Sequence, residues 1–133
     1  MRLTDKEINP KQLSPLNLAF IGDGIYELLV REHLVATANR PVNELHRQSV
    51  AFVNAKAQTE AYGRIREVLT EEETAVFKRG RNAKSHSSAK NASLRDYRKA
   101  TGLEAVIGYL FLCGKDDRIL ELLKTGFDEI GKG

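Results

Sequence analysis

Apolar residues in this chain recur at three- and four-residue spacing almost from end to end, and that periodicity limits the fold to packed helices. Ser14 followed by Pro15 reads as an N-cap with proline in the first helical position. Leu18, Ile21, Ile25, Leu28 and Leu29, with Val35 beyond, then predict one buried stripe. Gly22 and Gly24 interrupt it, each costing about 1 kcal/mol against alanine, so close approach of another backbone or a ligand around Asp23 is expected to offset them. Asn43 reads as the cap of a second helix running through Leu45, Val50, Val53, Ala57, Ala61 and Ile65 to Val68 or Leu69. Thr70 and Glu73 have capping-box spacing and predict a short third helix over 71–79. From Gly80 to Asn91 no apolar residue exceeds alanine, which predicts an exposed loop. Ser93 and Asp96 are candidate caps for a helix with Leu94, Tyr97, Leu103, Val106, Ile107, Leu110 and Phe111 as its apolar set. Gly114 suits its end, and Asp116 starts a last helix through Ile119, Leu120, Leu123 and Phe127. No hairpin or repeat signal competes. The expectation is an all-α fold of five or six helices in one domain, residues 1–133.

Composition narrows the function. With 41% hydrophobic and 29% charged residues, the chain has ordinary globular character. Asp23, Glu27, Arg31 and Glu32 break the longest apolar region well short of a membrane span, and Met1 to Pro10 carries charge with no signal-peptide core, so a cytoplasmic protein without membrane attachment is expected. The single cysteine, Cys113, excludes an internal disulfide framework; its place on an apolar helical face predicts core. His33, His46 and His86 lack zinc-pair spacing, and no nucleophile elbow is present. Charge is unevenly spread. Residues 78–99 hold eight of the 21 cations (Lys78, Arg79, Arg81, Lys84, Lys90, Arg95, Arg98, Lys99) and one of the 18 anions, Asp96, leaving 13 and 17 elsewhere. A compact basic segment on an acidic body is the electrostatic footprint of a polyanion partner, although a solvated charged face has the same composition.

Two acids stand among apolar neighbours: Asp23 between glycines in Ala19–Glu27, and Glu104 in Thr101–Leu110. A carboxylate so placed costs several kcal/mol unless paired, hydrogen-bonded or metal-bound. From the residues alone, an ion pair or cap and a metal ligand both stay open for each. Together they suit a hard cation such as Mg²⁺, which takes one or two carboxylates and completes its octahedron with waters and phosphate oxygens. Glu27, four residues after Asp23, lies on the same helix face; it can support the site from behind or pair with Arg31.

The Ala19–Glu27 stretch resembles the signature helix of the ribonuclease III catalytic domain, and Leu103–Gly108 is similar to that family's second acidic motif. Val53-Asn54-Ala55-Lys56 matches a stretch between them, and Lys78–Ser85 is the most specific likeness to the stand-alone branch, Mini-ribonuclease III, which lacks a double-stranded-RNA-binding domain. The likeness spans about Ser14 to Leu123. It implies a C2 homodimer that hydrolyses double-stranded RNA with Mg²⁺, Mn²⁺ being able to substitute, and with Asp23 and Glu104 as catalytic metal ligands. Larger members have carboxylates at two further positions that here hold Ala19 and Thr101, losses the stand-alone branch shares; Thr101 is then, with Glu27, a candidate for supporting the site from behind the ligands. A basic loop over about 80–92 would grip RNA, with Lys78, Arg79, Arg81, Asn82, Lys84 and Lys90 as contacts. The resemblance also implies maturation of precursor large-subunit (23S) ribosomal RNA, with ribosomal protein assistance. A catalytically silent RNA-binding or ribosome-assembly module is the alternative, needing the loop but neither acid.

Overall fold

The computed structural model describes residues 1–84 and 93–128. After a 3-10 turn at Pro10–Gln12 come six helices: α1 (Pro15–Thr37), α2 (Val42–Val53), α3 (Ala55–Ile65), α4 (Glu71–Asn82), α5 (Leu94–Leu112) and α6 (Asp116–Gly126). No strand occurs among the described residues, and no described helix is long and apolar enough to cross a membrane.

α5 is the axis of the fold, buried over most of its length, with α1, α3 and α4 packed around it and α6 packed against both α3 and α5. Backbone proximity makes this possible. A Cβ built on Gly22 would lie 1.7 Å from the Glu104 carbonyl oxygen, and one on Gly108 would lie 1.9 Å from that of Leu18. α1 and α5 therefore cross with main chain against main chain, which only residues without side chains permit at that separation. α4 meets α5 the same way, Gly80 and Gly102 nesting together beneath Phe77. Tyr62 stacks on Phe77 at 3.8 Å between ring centres, while Tyr26, Phe52 and Phe127 cluster at the other end of the core.

Several helix ends are those the sequence marks. Ser14, Thr70 and Ser93 cap α1, α4 and α5, and Thr70 with Glu73 forms the reciprocal capping box. Arg118 of α6 then reaches across to the buried Glu73 carboxylate at 2.8 and 2.9 Å and to the Val68 carbonyl at 2.7 Å, tying α6 to the start of α4.

Other expectations need correction. The second predicted helix is two, because the Asn54 side chain caps a new start by accepting from the Ala57 N–H at 2.8 Å. Pro41, not Asn43, precedes the first of them. α4 continues through Gly80, Arg81 and Asn82, so the basic loop begins later than Gly80; packing of Gly80 onto Gly102 extends the helix past its apolar pattern. Residues 85–92, Lys90 and His86 among them, lie outside the described residues. The buried face of α1 is Leu18, Ala19, Gly22, Tyr26, Val30 and Leu34, since the glycine crossing draws its small residues inward. Leu28 and Val35, expected in the core, are exposed, as are Leu16 and Phe20. In α6 Leu122 is buried and Leu120 is not. Cys113 ends α5 on the surface.

Candidate active site

Asp23 follows Gly22 on α1, and Glu104 is the residue whose own carbonyl touches the Gly22 position. The crossing that needs a glycine thus sets the two carboxylates side by side. Their side chains share a hydrogen bond, Asp23 open to solvent and Glu104 half-buried. Burial pushes the Glu104 carboxyl up to about 9, helped by the hydrogen bond to Asp23, the charge of Asp23 and, more weakly, that of Glu27; a hydrogen bond from Gln58 pulls the other way. Two carboxylates in contact cannot both ionise cheaply, which is why Asp23 adds to the upward push on Glu104. Tyr26 lies beneath, its hydroxyl donating to the Phe52 carbonyl; burial, then the charge of Glu104, raises it.

This donor set fits a hard divalent cation. Such an ion would be held by one or two carboxylates, with its other coordination positions open to water and phosphate. Among the described residues no three or more His, Cys, Asp or Glu converge to hold a metal.

Of the two supporting candidates, Glu27 acts on Glu104 through its charge. The Thr101 hydroxyl donates to the Tyr97 carbonyl at 3.0 Å on its own helix. The amide beside Glu104 is instead that of Gln58, which the sequence reading passed over. Its signal was legible: Gln58 shares the helical register of Ala61 and Ile65, a polar residue on a core stripe.

The cations divide. The Arg79 guanidinium donates to the Leu13 carbonyl at 3.2 Å, and two residues put it about 200° around α4 from Arg81. Lys78 and Lys84 are exposed. Arg81 and Asn82 of α4 instead join Leu94, Arg95, Arg98 and Lys99 of α5 around an open groove of about 430 Å³. Sequence reading counted those last three cations without placing them on one face, although their i, i+3, i+4 spacing does so. Arg95 and Glu104 are nine residues, two and a half turns, apart, so these two side chains leave α5 on opposite sides.

The model of one family, the ribonuclease III domain, matches residues 16–115 of this helical chain. Mini-ribonuclease 3 of Clostridium tetani is 50% identical over 115 residues, covering 86% of this chain and 76% of that one. Mini-ribonuclease 3 of Brevibacillus brevis is 50% identical over 119 residues, covering 90% and 89%. The crystal structure of protein FN1578 from Fusobacterium nucleatum superposes with a TM-score of 0.78 at 33% identity, covering 86% of this chain and 91% of that one. The chain belongs to the Mini-ribonuclease 3 branch of the ribonuclease III family.

Proposed function

We propose that the protein is an Mg²⁺-dependent endoribonuclease that cuts both strands of duplex RNA as a homodimer, with Asp23 and Glu104 holding the cation. The enzyme class follows from the family, whose members are double-strand-specific endoribonucleases. The observation that carries the catalytic assignment is the contact of Asp23 with Glu104 across the glycine crossing.

When bound, Mg²⁺ supplies Lewis-acid stabilisation of charge on the scissile phosphate and a water activated for attack; Mn²⁺ offers the same chemistry. Asp23, open to solvent, presents its carboxylate where a phosphate can approach. Glu104, beside it, would be the second ligand, in its ionised form. Arg81, Arg95, Arg98 and Lys99 neutralise backbone phosphates, with Lys78, Lys84 and Lys90 extending the grip; A-form RNA offers side chains mainly phosphates and a shallow minor groove, so recognition is by shape and charge.

The exposed stripe of α1, with Phe20 81% exposed and Leu16 and Leu28 beside it, is the surface assigned to the homodimer. Gly24 lies on the same stripe with no atom within 4 Å of a Cβ there, leaving room for a partner's close approach. Two-fold symmetry then offers one site to each strand. The proposed substrate is a duplex stem of precursor 23S ribosomal RNA, presented with the help of a ribosomal protein.

The test is cleavage of a long perfect RNA duplex, with and without Mg²⁺, by wild type and Asp23→Asn, and sedimentation of wild type and Phe20→Glu. Metal-dependent cutting lost in Asp23→Asn with duplex binding retained supports the reading, as does a dimer that Phe20→Glu dissociates. Salt-sensitive binding without cutting under either metal would instead make the protein a silent RNA-binding module.

A further inference from the structure

Gln58 is only 3% exposed, on the second turn of α3 behind the carboxylate pair. Its amide nitrogen donates to the Val53 carbonyl at 3.0 Å and hydrogen-bonds the Glu104 carboxylate. Oε1 is left buried with no protein partner. Methionine or leucine would fill this volume without burying an unpaired acceptor, so core packing gives no reason for an amide here. Neither neighbouring position competes for the role: Ala19 has no polar group, and Thr101 is bonded to Tyr97.

We infer that Gln58 is a positioning residue for the cation site, its N–H holding the Glu104 carboxylate toward Asp23 and its free Oε1 accepting a hydrogen bond from a water of the hydrated divalent cation. The inference rests on Asp23 and Glu104 being the cation ligands. The hydrogen bond to Val53 anchors the amide at the α2–α3 junction, so the break at Asn54 sets the direction from which Glu104 is gripped. Groups that orient metal ligands in this way commonly carry 10- to 100-fold in metal affinity or activity.

The test is Mn²⁺ binding to the full-length protein without RNA, followed by the electron paramagnetic resonance of free Mn²⁺. Wild type is compared with Gln58→Met, which keeps the volume, Gln58→Asn, whose amide is too short to span Val53 and Glu104, and Glu104→Gln. Helicity and melting are recorded for each, and binding is measured well below the transition. The expected result is a dissociation constant for Mn²⁺ raised about tenfold or more in both Gln58 variants. Their duplex-RNA affinity in metal-free buffer is unchanged, and their cleavage rate recovers toward wild type as Mn²⁺ is raised. A Mn²⁺ affinity within twofold of wild type in either folded Gln58 variant overturns the inference and leaves the carboxylate assignment standing. Failure of wild type itself to bind Mn²⁺ more tightly than Glu104→Gln overturns both.

Discussion

Gly22→Ala is the substitution on which fold and site depend together. A methyl group there would lie 1.7 Å from the Glu104 carbonyl oxygen, 2.6 Å from its carbon and 2.9 Å from the Gly108 nitrogen. All three are backbone atoms of a buried helix, so no side chain can swing aside. Ordinary contact begins near 3.4 Å, so α1 and α5 must separate by more than ~1 Å, a distance that exceeds what cores usually absorb. Overpacking costs about 1–3 kcal/mol and occasionally more; with backbone on every side the upper end applies. Helix propensity returns about 1 kcal/mol, leaving a net loss of about 2 kcal/mol or more. A chain of this length unfolds with an entropy near 0.28 kcal/mol/K, at about 2.1 cal/mol/K per residue, which makes the melting temperature fall by about 7 °C or more. The same separation draws Asp23 from Glu104, and a ~1 Å misplacement of catalytic groups can cost about a hundredfold in rate. Thermal melting by circular dichroism and cleavage at a temperature where the variant stays folded check both parts. Gly24→Ala is the control: its methyl group meets nothing, so an isolated protomer gains up to about 1 kcal/mol. Wild-type melting and wild-type activity in Gly22→Ala would refute the reasoning.

Two further outcomes follow from the charges. Changing Arg95, Arg98 and Lys99 together to glutamine should weaken duplex-RNA binding at low salt and lower the slope of log affinity against log salt by about 2–3 in filter binding, leaving Mn²⁺ affinity untouched. At Glu73, burial pushes the carboxyl up, but the Arg118 hydrogen bonds, the Thr70 backbone N–H and the Arg118 charge outweigh it and hold the group below its ordinary value. A depressed carboxyl stabilises the fold above its unfolded value of about 4.3 and loses that contribution as pH falls through the folded one. Acid unfolding of wild type should therefore fall off more steeply below about pH 4.3 than that of Glu73→Gln, as read by pH-dependent urea melts.

Caps and periodicity are local, so Ser14, Thr70, Glu73 and Ser93 announced their helices in the sequence. The two acids were legible because a charge among apolar neighbours has to be compensated. The buried face of α1 was not, because Ala19 and Gly22 carry no hydrophobic signal; their inward position is set by how near α5 can come, a tertiary quantity. The end of α4 was hidden for the same reason, Gly80 reading as a breaker when taken alone and as a contact once Gly102 lies opposite. Asn54 could have been read as a cap, but the apolar stripe ran across it unbroken. Gln58 called for the opposite reading, weight given to one polar residue on a core stripe.

The departure of Arg95 and Glu104 from opposite sides of α5 would separate two equilibria. On the proposed function, a duplex would be captured at Arg81, Arg95, Arg98 and Lys99 before it is brought against Asp23 and Glu104, so capture would not wait for those carboxylates to be neutralised. Linkage is reciprocal: if the cation leaves capture in the groove unchanged, capture there leaves cation affinity unchanged. Divalent ion concentration would then act on turnover and ionic strength on occupancy, as two independent controls on one small enzyme.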